Sequence, residues 1–217
     1  MLKAEGLKKS YGSLQVLKGI DIQVNKGEIV AIVGASGAGK STLLHILGTL
    51  DKPDSGKLEM NGENVFAKNP AELSAFRNRS IGFIFQFHNL LPEFSAIENV
   101  MMPGLIRKLD EKRVRKKAEE LLTLLGLSSR MEHKPSELSG GEQQRAAVAR
   151  ALINSPTIIL ADEPSGNLDS KTALELHQLF FQLRKELDQT FVIVTHNAEL
   201  ATRADRRIEL ADGMVKS

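Results

Sequence analysis

The residues of this 217-residue chain that could do chemistry fall in three clusters. The first is Gly34-Ala35-Ser36-Gly37-Ala38-Gly39-Lys40-Ser41, followed by Thr42; it fits G-x-x-x-x-G-K-[ST]. Glycines let a backbone curl until successive N–H groups point at phosphate oxygens, and a helix N-terminus adds partial positive charge. Lys40 is then placed to reach β- and γ-phosphates, and the Ser41 hydroxyl to ligate Mg²⁺. The second cluster, Asp162-Glu163, ends the apolar run Ile158-Ile159-Leu160-Ala161. Ligands of open α/β sheets sit at the carboxyl ends of strands, so Asp162 is expected to face the Mg²⁺ held by Ser41. Glu163 is one residue further and is a candidate proton acceptor for an attacking water. A carboxylate near phosphate charge gains basicity, which suits a general base. The third cluster is Leu138-Ser139-Gly140-Gly141-Glu142-Gln143, ahead of an Ala/Val/Leu-rich helix over 144–154. Taken alone it is either a second anion site at a helix start or an ordinary N-cap.

These clusters need elements to hold them. Ile20, Ile22 and Val24 alternate with polar residues, as on a half-buried strand, and 29–33 is an apolar run typical of a strand buried on both faces. A helix over 42–50 should follow the glycine loop. Lys57 to Met60 alternates and ends in the turn pair Asn61-Gly62. Asn69-Pro70-Ala71-Glu72 reads as cap, first-turn proline and N3 glutamate, and Ser95-Ala96-Ile97-Glu98 as a capping box. Residues 80–86, 157–161 and 191–195 read as further strands. Val114, Ala118, Leu121, Leu122 and Leu125 share one helical face that Gly126 should end. Leu176, Phe180, Leu183 and Leu187 form a second helical stripe, and 208–215 reads as a closing hairpin around Asp212-Gly213. Buried strands alternating with helices predict an α/β fold with a mostly parallel sheet covered on both faces, interrupted by a helical insertion.

Composition narrows the function classes. With 29 Lys+Arg against 27 Asp+Glu the net charge is +2, which argues against a dedicated nucleic-acid binder. The absence of cysteine excludes a disulfide scaffold, thiol catalysis and Cys-ligated metal centres, and fits a reducing compartment. The opening MLKAEGLKKS has no apolar stretch of a secretory signal. No apolar run approaches the ~18 residues needed to span a bilayer. If the protein works at a membrane, another chain is expected to do the spanning.

Together, in this order, the glycine loop, LSGGE and ILADE resemble the ATP-binding cassette (ABC) family. Further motifs agree: Gln86 at a strand end, Ser165-Gly166-Asn167-Leu168-Asp169 after the acidic pair, and His196 after Val192-Ile193-Val194-Thr195 look like the family's Q-loop, D-loop and switch histidine. Tyr11, the only tyrosine, lies where the family places an aromatic that stacks on adenine. The resemblance covers nearly the whole chain. It implies a P-loop NTPase (RecA-like) core with an antiparallel β subdomain. That core would comprise 1–86 plus 154–217, with 87–153 as an inserted α-helical subdomain carrying LSGGE. It also implies a head-to-tail homodimer with ATP between the subunits, Ser139, Gly140 and Gly141 of one closing on the γ-phosphate held by the other. Glu163 would then be the catalytic base, Gln86 a Mg²⁺ and water contact, His196 a γ-phosphate contact, and Asp169 an aid to aligning the partner's site.

The stretch Gly82-Phe83-Ile84-Phe85-Gln86-Phe87-His88-Asn89-Leu90-Leu91-Pro92-Glu93-Phe94 is similar to the ATPase subunits of bacterial lipoprotein-releasing complexes. Related macrolide-exporter and cell-division ATPases are the alternative. Ser165 stands where threonine is usual, and Asn197 where aspartate is usual. The subgroup implies a place on the cytoplasmic face of the inner membrane, integral membrane subunits as partners, and lipoprotein as their cargo. Phe87 and Phe94 either pack inside the insertion or join a surface for a membrane-subunit helix, toward which the resemblance tilts Leu90, Leu91 and Pro92. Residues 107–117, with seven basic and two acidic side chains, form either a solvated helix face or a contact to anionic lipid headgroups.

Overall fold

The computed structural model describes residues 1–216; Ser217, the last residue of the expected core, lies outside the described residues. The chain opens with strands β1 (Leu2–Tyr11), β2 (Leu14–Val24) and β3 (Ile29–Gly34), then helix α1 (Lys40–Leu47) and strands β4 (Ser55–Met60) and β5 (Glu63–Asn64). Helix α2 (Pro70–Ser80) and strand β6 (Ile81–Phe85) precede three helices, α3 (Ala96–Ile106), α4 (Glu111–Leu124) and α5 (Gly140–Leu152). The chain closes with β7 (Ile158–Asp162), α6 (Ser170–Leu187), β8 (Thr190–Val194), α7 (Ala198–Arg203), β9 (Arg206–Ala211) and β10 (Met214–Val215).

The strands form two sheets. One is antiparallel, in the order β2-β1-β4-β5; the other runs β10-β9-β3-β8-β7-β6 and is parallel except for the edge strand β10. Alternation along the parallel strands divides the interior. Val30, Ile32, Ile158, Leu160, Val192 and Val194 point toward α1 and the antiparallel sheet. Ile29, Ile159, Ala161, Phe191 and Ile193 point the other way, into one continuous apolar cluster with residues of α3, α4, α5 and α6. The helices between β6 and β7 are thus built onto the sheet face and share its core.

The expected capping boxes are present at Asn69/Glu72 and Ser95/Glu98. All five apolar residues assigned to the face of α4 are buried, and Gly126 follows with φ +72°. Two helices start earlier than their apolar pattern. α1 begins at Lys40, and α5 begins at Gly140 because Ser139 and Glu142 form a capping box there. Leu187 leaves the buried stripe of α6: it is the last helical residue, before Asp188 turns left-handed, and is exposed. Among the basic residues of 107–117 only Lys117 is partly covered, donating from Nζ to Ser155 Oγ at 2.6 Å.

Strand order positions the chemistry. β8 inserts between β3 and β7, so Gly34, Val194, Asp162 and Phe85 finish four neighbouring parallel strands. The residues that follow those ends are the glycine loop, His196, Glu163 and Gln86.

Candidate active site

The glycine loop joins the end of β3 to α1, and its sharpest constraints fall on two glycines. A Cβ on Gly34 would stand 2.1 Å from the Leu210 carbonyl oxygen. Gly39, the N-cap of α1, has φ +98°, and its Cβ would meet Leu17 Cδ2 at 2.8 Å. No side chain caps α1 and no acid lies in its first turn, whereas α2, α3, α4, α5 and α7 each carry a glutamate there. The first-turn N–H groups of α1 lack intrahelical partners and are left to an external anion, which the helix dipole favours. Lys40 adds a full positive charge at the same place. It is buried, and its Nζ donates to the carbonyls of Gly34 (2.9 Å) and Ala35 (2.8 Å), tying the loop into a ring around itself.

Ser41 Oγ donates to Asp162 Oδ1 at 3.2 Å, so two of the three expected metal ligands meet. Both are oxygen donors, and a hydroxyl and a carboxylate on one side suit Mg²⁺, which keeps its other positions for phosphate oxygens and water. Glu163, with φ +45°, is anchored through its N–H to the Val194 carbonyl. Its Oε2 accepts from the backbone N–H of His196 at 3.1 Å. Its Oε1 lies 3.2 Å from His196 Nε2, within ion-pair distance but not aligned as a hydrogen bond, and is otherwise buried without a partner. That buried oxygen is an acceptor with no hydrogen-bond partner, covered by the His196 ring. Burial pushes the Glu163 carboxyl above its ordinary range; neighbouring Asp162 pushes the same way, against His196 and Lys40. A raised carboxyl disfavours the charged form in the folded state. The sign follows: its contribution to stability is fully present below the unfolded pKa and lost as pH rises through the folded one. Glu163→Gln is therefore expected to be more heat-stable than the parent at neutral pH. That advantage should shrink as pH falls through the raised pKa toward the ordinary carboxylate value, as read from melting curves across pH.

The remaining expected residues divide into those brought to this site and those held apart. His196 is exposed at 60% of its side chain and stands over Glu163, so it is no core histidine. Tyr11 ends β1 with its ring half-exposed, and its Oη donates to Asp51 Oδ2 at 2.5 Å, which fixes the ring beside the loop after α1. Asp51 also accepts from Lys9 Nζ at 2.8 Å. Gln86 turns its Nε2 to Asn167 Oδ1 (3.0 Å), while Asn167 Nδ2 donates back to the Gln86 carbonyl (3.2 Å). Ser139, Gly140, Gly141 and Asp169 lie elsewhere, in a separate cleft of about 420 Å³ with Asn167 and Thr172. Within one chain Asp169 serves as the N-cap of α6, accepting from the N–H groups of Lys171 and Thr172 and from Thr172 Oγ1. Gly141 must be a glycine for packing, since a Cβ would stand 2.5 Å from Thr172 Cγ2. One chain therefore holds two glycine-led helix starts, at α1 and α5, and the second lies in a cleft that the glycine loop does not line.

Three positions that the motifs did not mark hold the arrangement. Gln144, fully buried on α5, donates from Nε2 to the carbonyls of Pro164 (2.6 Å) and Phe85 (3.3 Å), binding the LSGGE helix to both strand ends. Arg150 on the same helix donates to the carbonyls of His88 and Asn89. Buried Asn99 accepts from Leu91 N–H and donates to the carbonyls of Leu91, Phe94 and Ser95, shaping the loop after Gln86. In that loop Leu90 packs against the helical core, unlike its expected place on a partner surface, while Phe87, Leu91, Pro92 and Phe94 are exposed.

Comparison with known proteins agrees with this geometry. The ABC transporter family profile matches residues 17–166. The chain is 60% identical over 216 residues to the lipoprotein-releasing system ATP-binding protein LolD of Bacteroides thetaiotaomicron, covering 100% of this chain and 99% of that protein. It is also 60% identical, over 215 residues, to LolD of Cytophaga hutchinsonii, covering 99% and 98%. Among solved structures, the dimeric post-hydrolysis state of the ATP-binding cassette MJ0796 bound to ADP and Pi superimposes with a TM-score of 0.90. That match is at 41% identity and covers 100% of this chain and 97% of that one. A glycine loop around a buried lysine, an acidic strand end facing it and a second glycine start in a separate cleft agree with these matches, and the chain belongs to the ABC transporter family as an ATP-binding cassette ATPase.

Proposed function

We propose that this chain is the ATPase subunit of a lipoprotein-releasing system, working as a head-to-tail homodimer on integral membrane subunits at the cytoplasmic face of the inner membrane. The observation that carries the reading is full-length 60% identity to LolD proteins, joined to a site with phosphate, metal and base positions in one row. Gly34 to Thr42 would wrap the phosphates, with Lys40 on the β- and γ-oxygens. Tyr11 offers an exposed ring to the adenine. Bound Mg²⁺ would neutralise charge between phosphate oxygens; Ser41 and Asp162, with Gln86, are its proposed ligands. Glu163 would accept the proton of the attacking water, and His196 would hold that carboxylate and contact the γ-phosphate. Ser139, Gly140 and Gly141 would complete the site of the opposite subunit, with Asp169 beside them. This explains why the chain carries a second glycine-led helix start besides the phosphate loop. We take 1–86 with 154–217 as the nucleotide-binding part and 87–153 as the part that transmits closure.

Among the described residues no helix is long and apolar enough to cross a membrane, so force must pass to other chains. The proposed contact is the loop after Gln86, where Phe87 (69% exposed), Leu91 and Phe94 stand open. This loop rims a groove of about 440 Å³ lined by Arg77, Phe83, Phe85, Asn89 and Ile106. An amphipathic helix of a membrane subunit is the proposed occupant. Leu91→Glu is expected to leave ATPase of the isolated subunit within about twofold of the parent. It should weaken binding to the membrane subunits by at least ~10-fold, because a carboxylate would be buried unpaired. Pull-down and lipoprotein release from proteoliposomes should fall together. Loss of the fold or of the basal ATPase would make Leu91 a core residue instead. The function itself is tested by reconstituting the chain with the membrane subunits that co-purify with it: ATP-dependent release of an acylated protein supports it, and ATP hydrolysis unresponsive to lipoprotein refutes it.

A further inference from the structure

One buried histidine has no part in the chemistry described so far. His177 lies on α6 two turns beyond Asp169 and is 1% exposed. Its Nε2 is 2.9 Å from Ser165 Oγ, and its Nδ1 is buried with no partner. The tautomer follows from that asymmetry. Were Nδ1 protonated, the site would bury an unpaired N–H donor, which is rarer and costlier than a bare acceptor. The hydrogen therefore sits on Nε2 and is donated to Ser165. Burial also keeps the ring neutral; from α7, Arg203 adds to that effect and Glu199 opposes it.

Ser165 occupies the middle of a tightly folded segment. Gly166 N–H bonds to the Glu163 carbonyl and Leu168 N–H to the Ser165 carbonyl, at 2.9 and 3.1 Å. Gly166 packs directly on Gln86, and Asn167 pairs with Gln86. Beyond its own turns, this segment is tied to the body of the chain at Gln86, through Pro164 to Gln144, and through Ser165 to His177. The last tie bears on both of its functional ends, Glu163 two residues before and Asn167 two residues after.

We propose that His177 is a positioning residue for ATP hydrolysis, holding Ser165 so that Glu163 and the 166–169 turn keep their relation across the dimer. This rests on the assignment of Glu163 as the base. The test is steady-state ATPase kinetics of full-length Ser165→Ala, His177→Leu and the double variant, beside Ser165→Thr and Glu163→Gln. Ser165→Ala and His177→Leu should each lower kcat about tenfold, because small displacements of a reacting group are costly. KM for ATP should stay within about twofold, since the phosphate loop is untouched. The double variant should be no worse than either single one, the mark of a pair acting as a unit. Ser165→Thr keeps the hydroxyl and should retain the parent kcat. ¹⁵N shifts of His177 should report the neutral Nε2–H tautomer and change in Ser165→Ala. Parent kcat in folded Ser165→Ala, with Glu163→Gln inactive, overturns the proposal alone. Additive losses, or KM rising with kcat unchanged, overturn it too. Full activity in Glu163→Gln removes the base assignment and the proposal with it.

Discussion

Glu163→Gln is expected to bind ATP and lose its turnover by about 10²–10⁴-fold, the usual contribution of a positioned general base. The substitution keeps the side chain's shape and an oxygen for the His196 N–H, so the site should stay assembled. What disappears is the buried Oε1 lone pair that lacks a protein partner and the raised basicity that burial gives it. ATP binding should persist or tighten, because a negative charge near the phosphates is removed. Closed, ATP-bound dimers should then accumulate and be visible by size-exclusion chromatography with ATP, at protein concentrations where the parent elutes as monomer. A variant that hydrolyses ATP at the parent rate would place the base elsewhere.

The second large effect tests the shared site. Lys40→Ala should weaken ATP binding by about 10²-fold, the equivalent of losing a charge-assisted contact of nearly 3 kcal/mol. It also removes the donor that ties the Gly34 and Ala35 carbonyls together. Ser139→Glu should leave ATP binding to the same chain intact and abolish turnover, since it sets a carboxylate against the γ-phosphate of the partner's nucleotide. Its cost to the fold is confined to the α5 cap, about 1 kcal/mol. Each variant alone should be inactive. Mixed in equal amounts they should recover up to about a quarter of the parent rate. Half the dimers would then be mixed, and one of the two sites in each would combine an intact Lys40 with an intact Ser139. A head-to-tail dimer requires this rescue, and a site complete within one chain forbids it. No recovery in mixtures shown to exchange subunits would refute the shared-site arrangement.

Much of the molecule was legible without coordinates, and the reason is locality. A capping box spans four residues, so Asn69/Glu72 and Ser95/Glu98 could be read directly, and α4's apolar face repeats within one helix. The glycine loop is equally self-contained: Gly39 needs its φ, and Lys40 folds back on carbonyls five and six residues before it. Helix edges were less legible. α5 starts at Gly140, ahead of its apolar stretch, because its cap and not its hydrophobic pattern sets the start.

Other features were settled only by tertiary structure. Residue types and their order along the chain marked Gln86, Asp162, Glu163 and His196, but only the strand order brings their strand ends side by side, with β8 between β3 and β7. The apolar residues after Gln86 could face inward or outward; in the fold Leu90 packs partly buried against the helical core and Leu91 stands open, in a loop whose backbone the Asn99 side chain pins. The ties that hold the site span long stretches of chain. Gln86 meets Asn167 across 81 positions, Gln144 meets Pro164 across 20, and His177 meets Ser165 across 12. Glutamine, asparagine and histidine carry no local signature of such pairing. A hydrogen bond between distant residues depends on where separate elements dock, and docking is set by the packing of two whole sheets and their helices. The sequence alone therefore determined which groups could bind a nucleoside triphosphate and cleave it, and the folded chain decided which of them meet: strand order brings the glycine loop, Asp162, Glu163 and His196 together, while Ser139, Gly140, Gly141 and Asp169 line a separate cleft, because the packing of the whole sheet and its helices sets where α5 and α6 dock.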